Sequence, residues 1–215
     1  MATRPAAGGG RIVEVPPERL RRWLDNFAER HGGVTAAEPM PDGLRLVAAD
    51  GGIAECVLPF GGSAADPDEL VAAAERPRRI GLLLARRGAF GVGIADGPSL
   101  VTSKIERRYV QGRTAAGGWS QQRFARRRDN QARQSAGAAA EVAARVLLPE
   151  LDSLVAVVLG GDRQAVDAVL ADRRLGPVAD KVGGWFLPVA EPRREVLADA
   201  VGLARQVHIR LLDRP

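Results

Sequence analysis

Residues 80–103 read IGLLLARRGAFGVGIADGPSLVTS, and this stretch decides how the second part of the chain folds. Three short apolar runs lie within it, at 80–85, 90–95 and 100–103. The connections between them, Arg87-Gly88 and Asp96-Gly97-Pro98, have the composition of turns. Because consecutive strands joined by short turns pair antiparallel, the sequence predicts a three-stranded meander.

Helical and strand patterns alternate after the meander. Pro149 stops a long helix whose small apolar face suits close packing on a sheet. The predicted elements are a helix at 121–148, a strand at 154–159, a helix at 162–171, a strand at 185–189, a helix at 192–204 and a strand at 206–212. Three antiparallel strands followed by alternating α and β elements are the order of an RNase H-like mixed sheet, so the predicted fold class is α/β.

A smaller module precedes this domain. Residues 1–10 are expected to be a disordered tail, and 11–62 a small N-terminal α+β module with the order βαββ. Its helix begins at Pro17 and its last two strands flank Asp50-Gly51-Gly52, a hairpin signal. Residues 63–78 are expected to be a linker with one short helix, and 79–215 the second domain.

Positive charge is concentrated in one segment. The chain of 215 residues has a formal net charge of +5, whereas residues 104–134 alone carry nine basic and two acidic side chains, a net of +7. Such a segment predicts a polyphosphate partner. Arg outnumbers Lys 29 to 2, which suits RNA because guanidinium groups bind phosphate and stack on bases. A GC-rich genome would produce the same bias.

Several classes of protein are disfavoured by the composition. The one cysteine, Cys56, allows no intrachain disulfide, which fits a cytoplasmic protein. No apolar run is long enough for a membrane span. Two histidines far apart in sequence offer no metal-ligand spacing, and no cofactor is expected. Gly160-Gly161-Asp162, between a strand and a helix, is explained as a turn with an Asp N-cap.

The loop before the long helix carries the strongest functional signal. Gly117 and Gly118 give it conformational freedom, and a connection of about a dozen residues is longer than most. Trp119 beside two glycines is placed to stack on a base. Ser120 is a candidate N-cap, and Gln121 and Gln122 have no structural reason to follow it. Basic side chains surround the loop: Arg107, Arg108, Arg113, Arg123, Arg126, Arg127, Arg128 and Arg133.

These residues resemble a known family. RRYV at 107–110, GGWSQQ at 117–122 and SAG at 135–137 are similar to the Vms-like release factor family, in its shorter actinobacterial branch of peptidyl-tRNA hydrolases. The resemblance covers about residues 79–215. It implies release of nascent peptides from stalled large ribosomal subunits, with peptidyl-tRNA and rRNA as partners and neither membrane nor DNA.

The resemblance also implies roles for residues. The family's glutamine follows glycine-glycine-serine, so Gln121 is the matching position and Gln122 the alternative. With Gly117, Gly118 and Ser120 they form the implied catalytic loop. The arginines and Trp119 are the implied RNA-binding residues.

The residues leave one other function open and disfavour another. Trp119 interrupts the glycine-serine order, so the chain could be a non-catalytic ribosome- or RNA-binding protein. A metal-dependent nuclease needs a carboxylate in the first strand of the meander, and that strand has none.

Overall fold

The computed structural model describes residues 3–5, 9–86, 88–107 and 120–212, and for 120–130 the backbone alone. The chain divides into two compact units, Met1–Pro77 with Gly202–Pro215, and Arg78–Val201. The second unit starts next to the expected boundary at 79. Its other boundary differs, because the sequence assigns the last residues to the second domain and the structure places them in the first unit.

Ten strands and six α-helices make up the described part of the chain. They are β1 (Thr3–Pro5), β2 (Arg11–Val15), α1 (Pro17–Arg30), β3 (Val34–Met40), β4 (Gly43–Ala48), β5 (Ile53–Val57), α2 (Pro67–Glu75), β6 (Arg79–Arg86), β7 (Ala89–Asp96), β8 (Ser99–Arg107), α3 (Ser120–Leu147), β9 (Ala156–Gly161), α4 (Arg163–Leu170), α5 (Gly176–Asp180), α6 (Arg194–Ala204) and β10 (Val207–Leu212). Short 3-10 helices lie at Leu148–Ser153 and Arg173–Leu175.

The first unit is built on a six-stranded antiparallel sheet with the order β1-β2-β10-β5-β4-β3. The sequence assigned the strand at 206–212 to the second domain, whereas β10 lies between β2 and β5 in the sheet of the first unit. Thr3–Pro5 pairs with β2 within the expected disordered tail. The edge strand β3 was not predicted, because its residues VTAAEPM carry little strand propensity.

One helix supplies much of the first unit's core. Leu20, Leu24 and Phe27 of α1 are buried in the same apolar cluster as Ile209 of β10. The ring of Trp23 stacks on Phe27 with 5.6 Å between centroids, so both aromatics contribute to this core. The predicted hairpin is confirmed as well, since β4 and β5 pair antiparallel.

The second unit has a four-stranded mixed sheet with the order β8-β7-β6-β9. The strands β6, β7 and β8 form the predicted antiparallel meander. The strand β9 pairs parallel with β6, and its Val157 and Val158 are buried. Alternating helices follow the meander, so the predicted α/β class is confirmed.

Helices cover this sheet on both faces. Phe90 and Val92 share one apolar cluster with Ala139 and Ala143 of α3. On the other face α6 approaches closely because β7 carries glycine there. A Cβ atom on Gly93 would lie 3.0 Å from Leu197 Cδ2 and 2.9 Å from a backbone oxygen.

The predicted strand at 185–189 is not formed. Only isolated bridges connect this region to β9, at Val182 and Leu187. Leu187 donates its N–H to the Leu159 carbonyl at 2.9 Å and accepts from Gly161 N–H at 2.9 Å. Val189 would be the next residue to pair with β9, but its N–H donates to the Leu187 carbonyl at 2.9 Å, so pairing stops after one residue.

Candidate functional site

The predicted catalytic loop connects β8 to α3. The strand ends at Arg107, which pairs with Ala89, and the helix begins at Ser120. Residues 108–119 lie outside the described part of the chain, and with them Arg108, Arg113, Gly117, Gly118 and Trp119. The strand and helix that flank the loop belong to the same unit.

The candidate residues that follow the loop are the beginning of α3. Ser120, Gln121 and Gln122 are its first three residues. The helix runs without a break from there for 28 residues. The first turns of the helix also contain the arginines at 123, 126, 127 and 128. The structure describes the backbone of these arginines and of both glutamines, and not their side chains. Buried Ala139, Ala140, Ala143 and Leu147 anchor the later turns of α3 in the core of the second unit.

Arg107 is the first predicted RNA-binding residue whose side chain the structure describes. Its Nε lies 3.3 Å from Glu191 Oε1, and the two side chains are 50% and 51% exposed. Glu191 lies far away in sequence, before α6, and sequence reasoning gave it no role. No local signal could have found it, because the pair depends on how the chain returns over the sheet.

Two further arginines hold the same returning segment, residues 186–191. Arg163 lies over the ring of Phe186, with its Cζ 4.1 Å from the centroid. Arg86 donates from Nη1 to the Val189 carbonyl at 3.3 Å. Three cations from three different elements thus contact one segment at the end of the sheet where the predicted loop begins.

A groove of about 680 Å³ opens in the second unit between α3, α4 and the β6–β7 connection. Arg133, another predicted RNA-binding residue, lines it and is exposed. Ala132, Ala136, Ala165 and Ala168 form much of its walls. Sequence reasoning missed this groove because its two helical walls are distant in sequence.

The two carboxylates beside the groove are already engaged. Asp162 Oδ1 accepts from Ala165 N–H at 2.9 Å and caps α4, which confirms the predicted N-cap. Asp172 accepts from Arg174 Nη2 at 2.7 Å. Hydrogen bonds from Arg174 lower the pKa of Asp172 to about 2, so it is ionised and neutralised by its partner at neutral pH.

The described residues contain neither a metal-ligand cluster nor a membrane-spanning helix. Among the side chains that the structure describes, no three His, Cys, Asp or Glu residues are grouped so as to hold a metal ion. No helix in the described ranges is both long and apolar enough to cross a bilayer. The thiol of Cys56 is buried, and burial raises its pKa to about 12.

Comparison with known protein families identifies the class. A model of release factors matches residues 78–210, which include all of the second unit's sheet, the basic segment and the predicted loop. The chain is therefore release factor-like. The matched family is described as the Actinobacteria/chloroflexi VLRF1 release factor, and the chain belongs to it.

Two solved structures show a distant likeness. An archaeal translation termination factor, aRF1, matches with 14% identity and a TM-score of 0.42, over 90% of this chain and 65% of that one. A structure described as an archaeal protein matches with 13% identity and a TM-score of 0.39, over 88% and 62%. This chain therefore spans less than two thirds of either. No curated protein matches it.

Proposed function

We propose that this protein is a peptidyl-tRNA hydrolase that frees nascent peptides from tRNA on stalled large ribosomal subunits. The single observation that carries the proposal is the release-factor family match, which spans the glycine-rich loop and the glutamines after it. The partners proposed are the large subunit, its rRNA and peptidyl-tRNA, in the cytoplasm.

The residues of the loop suit ester hydrolysis without a metal or cofactor. The reaction needs a water aimed at the ester carbonyl and support for the developing oxyanion. An amide does not titrate near neutral pH, so Gln121 acts by orientation: its side-chain oxygen accepts from the water, or its backbone N–H supports the oxyanion. Gly117 and Gly118 let the backbone enter a narrow site.

The position of Gln121 supports this assignment. It is the second residue of α3. A helix N-terminus presents backbone N–H groups and a partial positive charge, which favour a developing oxyanion. Gln122 follows directly and is the alternative for the same role.

The basic residues around the loop would bind phosphates and position the protein without reading sequence. Arg107 lies at the end of β8, before the loop, and Arg133 lies within α3 after it. Between them in sequence lie Arg108, Arg113, Trp119, Arg123, Arg126, Arg127 and Arg128.

Peptide release from purified peptidyl-tRNA on large subunits tests the proposal. Wild type is expected to release peptide, and Gln121→Ala to lose most of that rate while still binding the subunit. Gln134→Ala is the matched control, since Gln134 is an exposed glutamine in the same helix. Equal rates for wild type and a Gln121→Ala, Gln122→Ala double variant would contradict the catalytic assignment.

A non-catalytic ribosome- or RNA-binding protein is the second candidate. Trp119, which separates the glycines from Ser120, favours it, because an inserted indole changes the loop that the family uses. This candidate predicts subunit binding that weakens steeply with salt and no ester hydrolysis by wild type.

A further inference from the structure

The groove between α3 and α4 is formed by small side chains that face each other. Ala132 and Ala136 line it from α3, and Ala165 and Ala168 from α4. Phe90 of β7 contributes to the lining and is itself 2% exposed. Alanine reaches one carbon from the backbone, so neither helix can fill the space between them. The result is a cleft of about 680 Å³ with alanine walls and polar side chains at its rim.

The cleft stays open because the two helices are anchored beside it. Ala140 of α3 and Val166 and Val169 of α4 are buried in one apolar cluster with the sheet. Packed interiors resist collapse, since each side chain sits among fixed neighbours. The groove is therefore a preformed feature of the second unit.

The rim of the groove offers two guanidinium groups, and the two carboxylates there are already engaged. Arg86, Arg133, Ser135 and Gln164 line it, as do Asp162 and Asp172, whose oxygens accept the hydrogen bonds described above. A guanidinium has five N–H donors, and the contact of Arg86 with the Val189 carbonyl uses one of them. The rim is thus suited to an anion beside an apolar floor.

The neighbouring charge favours a polyanion. The groove begins at Ala132 and Arg133, directly after the arginines at 123, 126, 127 and 128 of the same helix. The segment 104–134 carries a net charge of +7. A basic peptide would be repelled by this field, whereas a nucleic acid backbone that follows α3 would be attracted.

We propose that the groove binds one unpaired nucleotide of RNA, its base between the alanine walls and its phosphate at Arg86 and Arg133. This rests on the proposed function, because it supposes RNA along α3. A cleft walled by two helices admits a base only after the base has left its stack, so paired RNA is excluded. The apolar walls contact the base faces, and Ser135 and Gln164 reach its polar edge.

The test fills the groove without touching the core. Ala168→Leu places a larger side chain at an exposed, lining position of α4. Fluorescence anisotropy would measure the Kd for an unstructured RNA of about 12 nucleotides and for the matching duplex. We expect Ala168→Leu to bind the unpaired RNA about ten-fold more weakly than wild type, which is in the range of one lost base contact. Its Kd for the duplex should not change.

Three controls separate base insertion from other effects. Ala198→Leu makes the same change on an exposed position of α6 that does not line the groove. Ala132→Leu fills the groove from its other wall and should repeat the result of Ala168→Leu. An abasic RNA of equal length should bind wild type and both groove variants alike, since it keeps the phosphates only.

Each outcome decides the proposal. Loss of unpaired-RNA affinity in both groove variants, with Ala198→Leu unchanged, supports it. Unchanged affinity in the groove variants overturns it, even if subunit binding or peptide release falls. No RNA binding by wild type also overturns it, while the peptide release assay decides the proposed hydrolase independently.

Discussion

Arg107 and Glu191 form an ion pair across the second unit, with 3.3 Å between Nε and Oε1. The arginine ends the strand that leads into the predicted catalytic loop, and the glutamate lies in the segment returning over the sheet. A carboxylate that holds this guanidinium competes with any RNA phosphate for it. The pair therefore sets how much of the charge of Arg107 is available to a partner.

We expect Glu191→Gln to strengthen RNA binding about two- to three-fold at low salt, because exposed pairs contribute at most about 1 kcal/mol. The salt dependence of the Kd should become steeper, as one more phosphate contact is added. Titrations at several salt concentrations measure both.

Glu195→Gln is the matched control, because Glu195 is an exposed glutamate of the same unit and the substitution removes the same charge. If both variants gained RNA affinity equally, the change in net charge alone would explain the result, and the ion pair with Glu191 would not restrict RNA binding by Arg107.

Stability is expected to fall in mild acid because of His208. Burial lowers its pKa to about 4, while Glu14, 3.9 Å away, opposes the shift and Arg4 reinforces it. The unfolded chain takes up a proton below about pH 6.5, where the folded chain does not. The contribution of neutral His208 to the free energy of unfolding is therefore complete above about pH 6.5 and is lost progressively as the pH falls toward about 4.

Urea unfolding midpoints measured from about pH 7.5 to about pH 4 would show this loss. His208→Gln should flatten the curve relative to wild type, since carboxylates titrate equally in both. Parallel curves for the two proteins would exclude His208 as the cause.

The place of β10 in the first unit gives a third prediction. Ile209 is 0% exposed and belongs to the core cluster of that unit. Ile209→Ala should destabilise it by about 2–5 kcal/mol through lost contacts and a cavity. Hydrogen exchange should accelerate in β2, β4 and β5 and not in the β6–β8 meander. Faster exchange confined to the meander would contradict the observed pairing.

Two glycines of the second half respond oppositely to the same substitution. Gly202 is an exposed residue of α6, and a Cβ there meets nothing within 4 Å. Gly202→Ala should stabilise by about 0.5–1 kcal/mol, since Gly is disfavoured within a helix. A Cβ on Gly160 would lie 2.8 Å from the Leu187 backbone oxygen, so Gly160→Ala should destabilise by about 1–3 kcal/mol. Thermal unfolding would show whether stability rises in Gly202→Ala and falls in Gly160→Ala.

Much of the second unit could be predicted from local patterns. The apolar runs between turns at 86–88 and 96–98 specified the meander, and Asp162 specified the start of α4. Strands of weak local pattern were missed or misplaced. The strand β3 is largely exposed and contains Ala, Glu and Pro, which are poor strand formers, and Val189 bonds to Leu187 instead of β9.

The candidate site divides in the same way. The charge of residues 104–134, the glycine pair and the glutamines after it can be read from the sequence, because they are contiguous. Glu191, Phe186 and the α3–α4 groove could not be found there. Their roles depend on which distant segments meet, and sequence spacing does not report that.

By itself the sequence determined the alternation of strands and helices, the one basic segment and the family to which its motif belongs. Each of these depends on neighbours within a few residues or on total charge. Only the tertiary structure decided that β10 lies between β2 and β5, that Arg107 pairs with Glu191, and that alanines of α3 and α4 enclose a groove. These follow from long-range packing, where the burial of many apolar side chains together selects which surfaces meet.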